Sequence, residues 1–144
     1  MNVDTSPAIA LPEHVRTFLA DVHFATVATT DPDGVPRQAV IWYLLDGDEL
    51  IVNSRVGRRW PTNLLRDPRT SLAVMDETDG FRWVGLTGVA EPITDQPQAQ
   101  ADIAEMARRY KDDPDDVAGM IRRFRAMERI SFRVRVTAVH DHLD

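Results

Sequence analysis

Three clusters of turn residues cut the first two thirds of this chain into short runs rich in β-branched and aromatic residues. They are Asp31-Pro32-Asp33-Gly34, Asp46-Gly47-Asp48 and Glu77-Thr78-Asp79-Gly80. Proline presets φ and glycine accepts positive φ, so each cluster reverses the chain within a few residues. The runs they separate, residues 22–30, 36–45, 49–54, 69–76 and 81–91, read as strands. A closing run, 129–139, alternates Ile130, Phe132, Val134 and Val136 with Ser131, Arg133, Arg135 and Thr137. Short connections between neighbouring strands force antiparallel pairing. Six strands that are apolar on both faces in places predict a closed or nearly closed barrel.

Helical spacing appears in four places. Val15, Phe18 and Leu19 give one face to a helix from Pro12 to Ala20, and Trp60 and Leu64 fit a short helix over 58–66 with Pro61 in its first turn. Ala99, Ile103, Met106, Ala107 and Tyr110 mark a helix over 96–111, and Val117, Met120, Ile121, Phe124 and Met127 another over 114–127. The fold class expected is α+β, mainly β, with a helical pair before the last strand. The 144 residues suffice for one core. Residues 1–11 are expected to be a flexible arm and 12–144 a single domain.

Several chemistries are excluded. Without cysteine there are no disulfides, thiolate metal sites, iron–sulfur clusters or cysteine nucleophiles. His14, His23, His140 and His142 form no metal-ligand pattern, and His140 and His142 read as part of a solvated tail. Ser54, Ser71 and Ser131 lack a recognisable base and lie in no GxSxG motif, and no glycine-rich phosphate loop is present. A net charge of −6 argues against nucleic-acid and anionic-membrane partners. No apolar run approaches the roughly 18 residues of a membrane span. The start, MNVDTSPAIALPEH, has no basic segment of a secretory signal, so a cytoplasmic location is expected.

Against this acidic background, Arg55, Arg58, Arg59, Arg66 and Arg69 are opposed locally by Asp67 alone. Arg66, Asp67 and Arg69 read as a surface ion-pair patch. Gly57 frees the backbone to turn, which puts Arg58 and Arg59 at a helix N-terminus, with Thr62 and Asn63 one turn on. Unpaired N–H groups and guanidinium forks together suit a phosphate or carboxylate. Trp42, Tyr43, Trp60, Phe81 and Trp83 lie on or beside the strands. Trp42 and Trp83 serve either core packing or stacking on a flat ring ligand.

The ordered set of Ala28-Thr29, Asp33-Gly34, Pro36 and Trp42-Tyr43, then GRRWPTNLLRDPR and SLAV over 57–74, then DGFRWVGLTGVAE over 79–91, resembles the pyridoxamine 5′-phosphate oxidase-like split β-barrel superfamily. More narrowly it is similar to the branch that uses the deazaflavin coenzyme F420 in place of FMN. The resemblance implies a six-stranded FMN-binding-like split barrel and a homodimer with cofactor clefts between subunits. It implies that Arg37, Gln38, Ala39, Val40 and Trp42 line the ring and ribityl chain, and that Val52, Asn53 and Ser54 continue the wall. It also implies that Arg58, Arg59 and Trp60, with Arg55 and Asn63 nearby, receive the phosphate, and that Trp83 approaches the ring from the partner subunit. Many relatives carry a lysine at the position of Trp60. Here either Arg58 and Arg59 supply that charge or the site is altered. The activity implied is hydride transfer from reduced F420 to a small conjugated organic substrate, with the proton coming from solvent or Tyr43. The alternatives are an FMN-dependent oxidoreductase and a protein that binds a flavin, deazaflavin or tetrapyrrole without turnover.

Overall fold

A computed structural model describes residues 6–144. Helix α1 (Glu13–Ala20) leads into strands β1 (Ala25–Thr30), β2 (Pro36–Ile41), β3 (Leu44–Asp46) and β4 (Glu49–Arg55). Helix α2 (Arg59–Arg66) and strands β5 (Arg69–Asp76) and β6 (Asp79–Ile93) follow. Helices α3 (Gln96–Tyr110) and α4 (Pro114–Arg125) then precede β7 (Arg129–His142). All strand pairs are antiparallel, in the order β2-β1-β5-β6-β7-β4-β3.

There are seven strands where the sequence led us to expect six, because the run 36–45 is divided. Its first part pairs with β1 at one end of the sheet and its second with β4 at the other. Only Trp42 and Tyr43 join the two parts, so Ile41 and Leu44 are at most about 11 Å apart. The two ends of the sheet are therefore brought together, and it curls into an open, split barrel. Tyr43 is the pivot. It is fully buried, its hydroxyl donates to the Leu19 carbonyl at 2.7 Å, and its N–H donates to the Tyr110 hydroxyl at 3.2 Å. Trp42 lies against the Tyr110 ring at 5.0 Å and 5°.

The barrel interior is filled by Val27, Leu50, Val52, Leu72, Val74, Val84, Leu86, Ile130, Phe132 and Val134, all at most 2% exposed. The Trp60 ring closes one end of this cluster, 6.0 Å from Phe132. Part of the expected arm is packed rather than loose. Leu11 is buried, and the Ile9 N–H donates to the Val136 carbonyl at 3.0 Å. Residues 1–5 of that arm lie outside the described residues.

The outer side of the sheet differs along its width. Over β4 and β7 it is covered by α3, where Ile51 meets Ile103 and Met106. The polar side of β7 is consequently not a solvated face: Ser131 is fully buried and Arg129 is 7% exposed. Over β1, β5 and β6 no helix among the described residues covers it; Ala28, Ser71, Ala73, Gly85 and Thr87, all small, point out there, with Met75 and Trp83 at one end.

Candidate functional site

A cleft of about 310 Å³ opens where the barrel is split. One wall is β2 and its continuation, with Ala39, Val40, Ile41 and Trp42. The opposite wall is the end of β4, with Asn53, Ser54 and Arg55. Arg58 and Trp60 close one end, and Ile103 and Met106 of α3, Phe124 of α4 and Arg129 roof it. Val40 is 71% exposed, so the cleft is open along the β2 edge.

Three arginines converge here. Arg55 and Arg129 are cross-strand partners in the β4–β7 ladder, an arrangement that is repulsive unless something negative intervenes. Gly57, at φ +98°, turns the chain immediately after β4 and returns Arg58 to the same cleft. No side chain caps α2, whose N-cap residue is Arg58. Among the described residues, no carboxylate lies within ion-pair distance of Arg55, Arg58 or Arg129. Arg129 is the most constrained of the three. Its Nε donates to Asn53 Oδ1 at 3.0 Å, and its guanidinium lies 4.8 Å from the centre of the Phe124 ring. Burial, and then the charges of Arg58 and Arg55, push its pKa down to about 10. A buried cation held beside two others and away from carboxylates is arranged for an anionic ligand.

The structure brings Ala39, Val40, Trp42, Asn53, Ser54, Arg55, Arg58 and Trp60 together around this cleft. It does not bring the other candidates there. Arg37 is exposed and pairs with Asp31 at 2.7 Å, and Gln38 points out from β2. Val52 faces the barrel core opposite Phe132. Arg59 is one residue past Arg58 on a helix start, hence rotated by about 100° away from the cleft; it lies near enough to Asp31 to act on that carboxyl. Asn63 is buried against β1, donating to Thr29 Oγ1 at 3.1 Å and to Asp31 at 3.0 Å. The Tyr43 hydroxyl is buried and donates to the Leu19 carbonyl rather than facing the cleft, and burial raises its pKa.

Trp83 is not part of this chain's cleft either. It lies flat on the bare outer face, stacked on His140 at 4.9 Å and 7°. The position of Gly85 makes room for it, since a Cβ there would stand 3.1 Å from the Trp83 ring and 3.3 Å from His140 Cβ. His140 and His142 are thus part of an aromatic stack rather than a free tail, with His142 5.5 Å from Trp83. Among the described residues no cluster of potential metal ligands is found. Arg69 pairs with Asp67 at 2.7 Å, whereas Arg66 donates to Asn63 Oδ1 and to the Thr30 carbonyl. Arg129 is the residue that sequence reasoning missed. It is remote from the arginine segment, and only the pairing of β4 with β7 places it opposite Arg55.

The fold and cleft can be set beside known proteins. The sequence profile of the pyridoxamine 5′-phosphate oxidase family matches residues 11–140. This chain belongs to that family. No curated protein sequence matches it significantly. Among solved structures, an F420 reductase is similar at 24% identity and a TM-score of 0.72, over 90% of this chain and 98% of that one. A conserved hypothetical protein from Mycobacterium tuberculosis is similar at 23% identity and a TM-score of 0.74, over 98% and 91%. The heme storage protein of Vibrio cholerae is similar at 18% identity and 0.69, over 92% and 95%. At these identities the likeness is one of fold. Among the described residues, no helix of this family member is long and apolar enough to cross a membrane.

Proposed function

We propose that this protein is an oxidoreductase that binds coenzyme F420 in the split-barrel cleft and serves hydride transfer to a small conjugated substrate. The observation that carries the reading is the convergence of Arg55, Arg58 and Arg129 without a carboxylate partner. A phosphate among three guanidinium groups gains several charge-assisted hydrogen bonds, each worth about 1.5–3 kcal/mol. The residues fit such a group: the cationic end is joined to an apolar wall of Ala39, Val40, Ile41 and Trp42, where a planar ring can lie. When bound, the deazaflavin supplies the hydride. The chain's own work is then binding and orientation. Arg55, Arg58 and Arg129 hold the phosphate. Trp42, braced from behind by Tyr110, offers a rigid apolar surface beside the ring position. With Tyr43 committed to the core, the proton comes from solvent at the open β2 edge.

The active form in this reading is a homodimer. The bare outer face of β1, β5 and β6 carries the small residues Ala28, Ser71, Ala73 and Gly85 beside the Trp83–His140 stack, and is bordered by the exposed Val40, Met75 and Phe81. A second copy covering this face would also close the open side of the cleft, because Val40 belongs to both. Trp83 of that copy then becomes available to the cleft. Three arginines also suffice for a single phosphate, so FMN is the second reading, with Trp42 and Val40 in the same role.

The test is equilibrium binding of F420 and FMN, side by side, to protein stripped of ligand, followed by oxidation of reduced F420 with conjugated enones. The proposal expects F420 to bind more tightly and to be reoxidised only when protein and acceptor are both present. Tighter FMN binding would transfer the reading to the flavin. Tight binding without turnover would leave a carrier protein.

A further inference from the structure

Behind the cleft, on the side of β4 and β7 covered by α3, runs a buried polar chain. Asp102 of α3 is 8% exposed. Its Oδ1 accepts from Gln98 Nε2 at 2.8 Å and its Oδ2 from the Ser131 hydroxyl at 2.7 Å. Ser131 Oγ in turn accepts from Asn53 Nδ2 at 2.9 Å, and the same amide nitrogen donates to the Ala99 carbonyl at 2.9 Å. Asn53 Oδ1 is left to accept from Arg129 Nε.

The polarity of this chain runs one way. A carboxylate can only accept, so the single hydroxyl hydrogen of Ser131 goes to Asp102. The Ser131 oxygen must then accept, which turns the Asn53 nitrogen towards it and the Asn53 oxygen towards the arginine. In the flipped amide, an NH2 group would face a guanidinium N–H, and a carbonyl oxygen would face the Ala99 carbonyl. The Gln96 side chain fixes the backbone of the same arginine, donating to the Arg129 carbonyl at 2.7 Å and accepting from its N–H at 3.0 Å. Arg129 is thus held at its backbone and at Nε, and Nη1 also donates to Met127 Sδ at 3.8 Å, which leaves Nη2 and the second N–H of Nη1 for the cleft. The chain also carries a negative group at one buried end and a positive group at the other, separated by two neutral links.

We infer that Asp102 and Ser131, neither of which lines the cleft, are positioning residues for Arg129. Through Asn53 they aim its guanidinium at the phosphate position before ligand arrives. Asn53 serves as the link rather than as a direct cofactor ligand. This inference rests on the proposed phosphate site. It adds a prediction that a simple charge argument reverses: Coulomb's law alone says that removing a nearby carboxylate tightens anion binding, whereas loss of orientation weakens it.

The experiment measures two affinities for each protein by fluorescence titration: F420 and its phosphate-free deazaflavin chromophore. Their ratio reports the contacts of the phosphate together with the anionic tail it carries, and cancels a general loss of folded protein. For the unaltered protein the ratio is expected to be large. Ser131→Ala and Asp102→Ala are each expected to lower it by about five- to tenfold, the worth of roughly one hydrogen bond, with chromophore affinity unchanged. Ser131→Thr, which keeps the hydroxyl, is expected to restore the ratio seen with serine. If F420 and chromophore affinities fall together, or if the ratio stays constant or rises in Asp102→Ala, the positioning role is overturned while the phosphate site stands. If the unaltered protein binds both ligands equally, the phosphate site itself fails.

Discussion

Two arginine-bearing regions of the molecule differ in what neutralises them. At the rim, Arg37 pairs with Asp31 and Arg69 with Asp67, each at 2.7 Å and each exposed to solvent. Further round the barrel, Arg82 and Arg133 are matched with Asp76, Asp46 and Glu49 in the same manner. In the cleft, Arg55, Arg58 and Arg129 face one another with no such partner among the described residues. Composition cannot separate the two groups, since both are arginine on an acidic chain. What separates them is the direction the backbone gives each side chain and the carboxylates within reach. A fold that pairs so many of its arginines and leaves three together has an uncompensated positive site, and that difference is the ground for the proposed function.

The contrast can be broken or sharpened by substitution. The largest effect is expected from Arg55→Ala combined with Arg58→Ala. Loss of two charge-assisted contacts should weaken F420 binding by more than about 100-fold, as read by fluorescence titration. Next comes Asn63→Ala, which removes the buried amide joining Thr29, Asp31 and Arg66 at the rim. It should cost about 2 kcal/mol, or about 5 °C in Tm for a chain of this size, with F420 affinity unchanged. An equal loss of affinity would mean that rim and cleft are one unit. Arg59→Ala with Arg69→Ala, which removes as much charge as the cleft pair, should change affinity by less than about threefold because exposed charges are screened. A fall comparable to that of the cleft pair would show that net charge, not placement, attracts the ligand.

The smallest effect concerns acid. Hydrogen bonding to Arg69 holds the Asp67 carboxyl below its ordinary value of 3.8. A carboxyl with a lowered folded pKa contributes stability above its unfolded pKa and loses it as pH falls through the folded value. Arg69→Ala should therefore lower Tm slightly at neutral pH, and the difference from the unaltered protein should shrink as pH falls below the ordinary carboxyl value of 3.8 and vanish once the folded Asp67 is itself protonated. A difference that persists there would show that the pair acts by packing rather than by charge.

Much of this architecture was legible in the sequence because it is locally encoded. The turn clusters sit where hairpins form, and the helices follow their apolar spacing to within one or two residues. The break at Trp42-Tyr43 was not legible, because the run PRQAVIWYLL stays apolar through it. What interrupts the strand is distant: Leu19 and Tyr110 hold Tyr43 from α1 and α3. The same reason explains the site. Arg58 and Trp60 follow from the turn at Gly57, but the choice of Arg58 over Arg59 depends on where α2 begins. Arg129 sits on what reads as the polar side of the last strand, and only the cover of α3 turns that side into an interior. Asn53 was readable as a residue of the cleft wall; its part in a buried chain ending at Asp102 needed the packing of α3 on β7.

The central claim is that the three cleft arginines, and not the paired ones at the rim, hold the anionic end of the cofactor. The most direct measurement is a crystal structure of the protein soaked with F420. The account predicts phosphate density within hydrogen-bond distance of Arg55, Arg58 and Arg129, with the ring against Trp42. Phosphate density at Arg59 or Arg37, with the cleft arginines turned onto the protein's own carboxylates, would contradict it.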